Sequence, residues 1–96
     1  MEPIVISAGW KQVSASGNVW PKEAALHGIF VSAATTTPTI TVYDDSATGT
    51  TTKMVDTFTP VAGTFYPLPF RALNGINVVI SGTVSCTVGF QPDTMK

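Results

Sequence analysis

The chain has 96 residues, enough for one hydrophobic core and too few for two. Hydrophobic residues make up 44% and charged residues only 11%, well under the roughly 25% of an average soluble domain, which argues against disorder and leaves a weakly polar surface. Net charge is -1, and the basic residues Lys11, Lys22, Lys53, Arg71 and Lys96 form no run, so nucleic acid has no electrostatic basis as a partner.

The segment MEPIVISAGW lacks a basic region followed by a long apolar stretch, so it does not read as a signal peptide. No apolar run approaches the roughly 18 residues of a membrane span, and the chain is expected to be soluble and made in a cytoplasm. Ile4, Val5 and Ile6, flanked by Pro3, form an extended apolar run, and residues 1–9 are read as an N-terminal arm able to add to the sheet edge of another subunit. Trp10 and Trp20 flank a weak strand at 11–16 and are either lids on the core or interface anchors. PKEAALHG at 21–28 is the one stretch with helical character, Pro21 opening it and Gly28 stopping it.

From there the apolar period is two, the signature of strands. Residues 25–33 carry Ile29, Val31 and Ala33 on one face and Leu26, Gly28 and Phe30 on the other, which predicts a central strand. Strands follow at 39–43, 53–58, 64–68, 76–80 and 84–90, the last alternating Val84, Cys86, Val88 and Phe90 with Ser85, Thr87 and Gly89. Pro67 and Pro69 make 64–68 an edge strand or an irregular segment, because proline donates nothing to a ladder. Turns are predicted at Ser16-Gly17-Asn18, Thr35 to Pro38, Asp44 to Thr50, Pro60 to Gly63, Asn74-Gly75 and Ser81-Gly82. The expected fold is therefore a single all-β domain over residues 1–96. It is an antiparallel two-sheet β-sandwich of seven or eight short strands, a jelly roll being one arrangement. Its core is Ile29, Val31, Ile40, Val42, Ile76, Val78, Ile80, Val84, Cys86 and Val88.

Residues able to do chemistry are few. His27 is the only histidine, so no two-His site exists within one chain, and its place between Leu26 and Gly28 suggests a structural or interface role. The acids Glu2, Glu23, Asp44, Asp45, Asp56 and Asp93 include one adjacent pair, and neighbours on a strand point to opposite faces. DDSATGT at 44–50 opens like a calcium loop, but the twelfth position is Val55 where a bidentate Glu is needed, so a polar hairpin loop is expected. Cys86, the only cysteine, forms no disulfide within the chain and reads as a small buried residue. Neither GxGxxG nor GxxxxGK[ST] occurs. No catalytic residue, cofactor or metal is expected, and the chain is not expected to be an enzyme.

The successive segments LHGIFVSA, TITVYDDSATGT, DTFTPVAGTFYPLPF and NGINVVISGTVSCTVGF, over residues 26–90, resemble a type of short virion protein encoded among the structural genes of tailed bacteriophages. The shared features are turn and core motifs, so the resemblance bears more on fold than on role. It implies a β-sandwich on the capsid exterior, a decoration (cement) protein that binds and stabilises the major capsid protein; tail and fibre modules share the look. The low charge and the apolar residues Trp10, Trp20, Phe65, Tyr66 and Phe70 suit a homo-oligomer, with a trimer expected at local threefold points of a shell. With Ile4, Val5 and Ile6 these residues are the candidate interface. A carbohydrate-binding sandwich stacking sugars on Trp10, Trp20 or Tyr43 is the alternative. Neither a membrane nor a nucleic acid is expected as partner.

Overall fold

A computed structural model describes residues 9–92, in which the chain is antiparallel and all-β, with six strands and no helix. The strands are β1 (Gly9–Val13), β2 (Gly17–Trp20), β3 (Ala24–Tyr43), β4 (Lys53–Phe58), β5 (Thr64–Ala72) and β6 (Ile76–Pro92), joined in one sheet. Residues 1–8, which include Ile4, Val5 and Ile6 of the expected arm, lie outside the described residues.

Two strands are much longer than the sequence pattern predicts: β3 has 20 residues and β6 has 17. The predicted turns Thr35 to Pro38 and Ser81-Gly82 are bends inside these strands, so the short strands expected at 25–33 and 39–43 are one strand, as are those at 76–80 and 84–90. Thr35 pairs with Thr83 and Thr39 with Ser81, leaving residues 36–38 opposite the single Gly82. Gly82 bends at φ 80°, a conformation that costs a glycine nothing, while Thr37 takes φ 46°, which strains a β-branched residue. Pro38 has no N–H to lose where the ladder is interrupted. Below the bend, Thr39 and Ser81 hold the two strands together through their hydroxyls at 2.6 Å.

The bend divides the sheet into two four-stranded halves. The first has the order β1, the end of β6, the start of β3, then β5. The second has β2, the start of β6, the end of β3, then β4. Ser16, between β1 and β2, bridges the gap in this edge: its hydroxyl accepts from Ile80 N–H at 2.8 Å and lies 3.2 Å from the Ile80 carbonyl. The sheet curls about its apolar face into a half-barrel. Rings close the curl from one half to the other, with Trp20 of β2 5.4 Å from Phe90 of β6 and Phe58 of β4 5.0 Å from Tyr66 of β5.

Inside the curl lies one core, formed by Val13, Val19, Ala24, Leu26, Ile29, Val31, Ile40, Val42, Ala72, Ile76, Val78, Val84, Cys86, Val88 and Phe90. Of the predicted core, Ile80 alone is half-buried, packed against the rest. The expected helical stretch at 21–28 is strand from Ala24 onward, because Ala24 and Leu26 are buried at a spacing of two and pair on both sides with β5 and β6. A bulge then changes the phase: Leu26 and Ile29 are both buried at a spacing of three, so His27 and Gly28 face outward together. A second register shift between Val31 and Ala33 exposes Ala33 and turns Ala34 toward the core. The predicted two-faced arrangement of 25–33 is corrected accordingly, although β3 is central as expected.

Candidate functional site

At one end of the molecule the loops are tied together by acids and amides. The Asp44 carboxylate accepts backbone N–H groups from Leu73 (3.1 Å), Asn74 (2.7 Å) and Gly75 (3.2 Å), so β3 organises the tight turn between β5 and β6. Asp45 accepts from the N–H groups of Ala47 (2.7 Å) and Gly49 (3.0 Å). The side-chain amide of Asn18 donates to the carbonyls of Asp45 and Ala47, and that of Asn77, which is buried, to the carbonyl of Gly49. The carboxylates that imitate a calcium loop are thus committed to backbone donors. Among the described residues no three His, Cys, Asp or Glu side chains gather as a metal site.

Cys86 is buried with its thiol toward the Val13 carbonyl at 3.5 Å, and burial raises its pKa, which disfavours the nucleophilic thiolate. Two exposed ion pairs lie elsewhere, Lys53 with Asp56 at 3.0 Å and Arg71 with Glu23 at 2.9 Å, and Lys11 donates to the Asn18 carbonyl at 3.2 Å. In the first pair the hydrogen bond from Lys53 holds the Asp56 carboxyl below its ordinary range, and the same bond raises Lys53.

The unusual surface is the outer face of the first half of the sheet. Strand register sets Trp10, Gly89, Gly28 and Pro67 side by side in one rung, and Gln12, Thr87, Phe30 and Phe65 in the next. Neither rung contains an acid, a lysine or an arginine. Trp10 is 70% exposed, Phe65 54% and Phe30 43%, which leaves about 370 Å² of aromatic surface in water. The ring of Phe65 lies over Gly28, where an added Cβ would come within 2.5 Å of it, so Gly28 is the glycine this ring requires. Gly89 differs. An added Cβ there would be in ordinary contact with the Gly28 carbonyl at 3.8 Å and the His27 Cβ at 3.9 Å, so a side chain fits without displacing its neighbours.

Period two separates the other candidates. Tyr66 and Phe70 stand opposite Ile29 and Leu26 and so have the core-facing parity of β5, Tyr66 half-buried against Phe58 and Phe70 left 47% exposed at the edge. Trp20 is half-buried against Phe90, and its indole Nε1 is enclosed without a hydrogen-bond partner. Tyr43 closes β3 opposite Lys53 and Asn77. Phe30, absent from the predicted interface, belongs to the outer face; its register opposite Phe65 becomes apparent only once the bulge at 27–28 is known. Comparison with protein-family models, characterised proteins and solved structures finds no match.

Proposed function

We propose that this chain is a non-enzymatic structural protein that works by covering and being covered, as a decoration (cement) protein on the exterior of a bacteriophage capsid. The observation that carries the reading is the pair of outer-face rungs without formal charge that bears Trp10, Phe30 and Phe65. Contiguous exposed apolar surface of 300–600 Å² is often a functional patch, and loss of charge at its centre is the compositional mark of a protein interface. The polar clusters that could have served as a site are consumed by the fold: Asp44, Asp45, Asn18 and Asn77 all bind backbone. In this reading the two halves of the curled sheet act as the layers of a β-sandwich. Residues 1–9, with Ile4, Val5 and Ile6, anchor it to the major capsid protein, and copies associate around the shell, where repetition multiplies a weak contact.

The test is fractionation of particles on a density gradient. The full chain should travel with intact capsids and resist washing, whereas a variant lacking residues 1–9 should fold and stay at the top. A full chain that never enters the particle fraction removes the proposal. A second reading is favoured by one observation, the exposed Trp10 beside the bare Gly89 backbone, a geometry that also suits the flat face of a sugar. Binding on a glycan array, lost in Trp10→Ala, would establish it.

A further inference from the structure

We infer that Asn74-Gly75, in the turn between β5 and β6, is a site of spontaneous deamidation to aspartate or isoaspartate, held off in the native fold by Asp44. The reacting atoms are the Gly75 backbone nitrogen and the side-chain carbonyl carbon of Asn74. The nitrogen loses its proton to hydroxide and attacks that carbon; a nitrogen–carbon bond forms, and the side-chain amide takes a proton from water and leaves as ammonia. Water then opens the cyclic imide at either carbonyl, giving aspartate or isoaspartate. Of the three asparagines, Asn74 alone precedes a glycine, whose missing side chain lets the nitrogen approach; Asn18 and Asn77 precede the β-branched Val19 and Val78. Asn18 and Asn77 also donate their side-chain amides to carbonyls. Asn74 is exposed, and no described residue binds its side-chain amide.

The fold restrains the nucleophile by charge and by space. The Gly75 N–H donates to the Asp44 carboxylate at 3.2 Å, and the same carboxylate takes the Asn74 N–H at 2.7 Å. A negative charge beside the amide opposes its deprotonation, the event that makes the nitrogen reactive. Gly75 is also buried, pressed between the carbonyl of Asp45 and that of Trp20, which lies 2.6 Å from where a Cβ would stand, and its own carbonyl accepts from the Asp45 N–H at 3.3 Å. The peptide cannot swing toward the Asn74 side chain while these loops are closed. Opening the turn lifts both restraints, and the change that follows is one-way. The product sets a new carboxylate close to that of Asp44, and like charges at short range repel. Isoaspartate in addition lengthens the main chain by a methylene where Gly75 has no room to shift. In either product the three N–H groups no longer close on Asp44 as before, so the turn records each opening as a permanent loosening of this end of the molecule.

The experiment is incubation of the full chain at mildly alkaline pH, with Asn74 followed by mass spectrometry in the tryptic peptide 72–96 and isoaspartate distinguished by electron-transfer fragmentation. Asp44→Ala removes the restraining carboxylate. Two controls leave the Gly75 amide bonded: Asp45→Ala, which acts within its own loop, and Val88→Ala, which loosens the buried core away from the turn. Circular dichroism establishes that each is folded at the temperature of incubation. Conversion of Asn74 should be about tenfold or more faster than in the native wild type both in denaturant and in folded Asp44→Ala, the factor that loss of a shielded hydrogen bond to a charged group implies. Asp45→Ala and Val88→Ala should stay close to wild type, and Asn18 and Asn77 should remain intact over the same interval. Should Asp44→Ala fail to fold, Asp44→Asn, which keeps the shape and loses the charge, is read in its place. Deamidated wild type, separated by ion exchange, should melt below the fresh protein, whereas Asn74→Ser should be unchanged by the incubation. Equal rates in native and unfolded wild type overturn the inference. So does an Asp44 variant no faster than the two controls, or a deamidated protein as stable as the fresh one.

Discussion

Replacing Asp44 by alanine tests how far this fold depends on its end loops. The carboxylate accepts three backbone N–H groups from residues about 30 positions away, and the bond to Asn74, at 2.7 Å, has the length of a charge-assisted one. Hydrogen bonds to a charged group contribute about 1.5–3 kcal/mol when shielded. Here the Leu73 and Asn74 amides are exposed and take water instead, and the Gly75 amide is partly shielded. The expected loss is therefore about 2–3 kcal/mol in total, near the upper end of what an N-cap substitution costs. At about 4–8 °C per kcal/mol for a domain of this size, the melting temperature should fall by roughly 8–24 °C. Asp45 is the internal comparison. Its two bonds, to Ala47 and Gly49, stay within its own loop, so Asp45→Ala should cost about 1 kcal/mol. Urea unfolding followed by circular dichroism measures both. If Asp44→Ala lies within about 0.5 kcal/mol of wild type, or costs less than Asp45→Ala, the loops are not held as argued.

Gly75→Ala should destabilise by more than about 2 kcal/mol, because the new Cβ would press on the carbonyl of Asp45 and come within 2.6 Å of that of Trp20; Gly17→Ala, in open space, should be nearly neutral in the same unfolding assay. Millimolar calcium should leave the melting temperature unchanged relative to EDTA, since the loop carboxylates already serve backbone N–H groups. A thiol reagent should label Cys86 slowly in the native protein and fast in urea, and equal rates would contradict its burial and raised pKa. The Lys53–Asp56 pair should add a small stability that is present above the ordinary carboxylate value and lost as pH falls through the depressed value of Asp56. Being exposed, that increment should vanish in high salt, and Asp56→Asn should remove it.

Period two placed the core correctly because a buried face permits only one register: Val84, Cys86 and Val88 could point nowhere else. Pro38 and Gly82 suggest turns at 35–38 and 81–82, but the residues that reverse a chain also bend a strand, and only the pairing of Thr35 with Thr83 and Thr39 with Ser81 separates the two cases. The bulge after Leu26 was hidden for a similar reason: one extra residue changes the facing of His27 without changing composition. Among the interface candidates, the partial burial of Trp20 and Tyr66 comes with contacts to the rings of Phe90 and Phe58, pairings that no periodicity announces. Nor could the chain order of Asp44 and Gly75 announce their contact, which exists only because β3 and β6 run side by side.

Because β3 and β6 each run through both halves of the sheet, neither half owns a complete set of strands. Tyr43 meets Asn77 at one end of the pair and Ala24 meets Pro92 at the other, so forming this pair joins segments far apart along the chain. The entropy of closing such long loops is spent before any flanking strand has an edge to join. Folding should accordingly take milliseconds to seconds, as in other nonlocal β proteins, and β1, β2, β4 and β5 should dock only after the central pair has formed. The same arrangement makes unfolding all-or-none: releasing β3 from β6 dismantles the first half and the second in a single step.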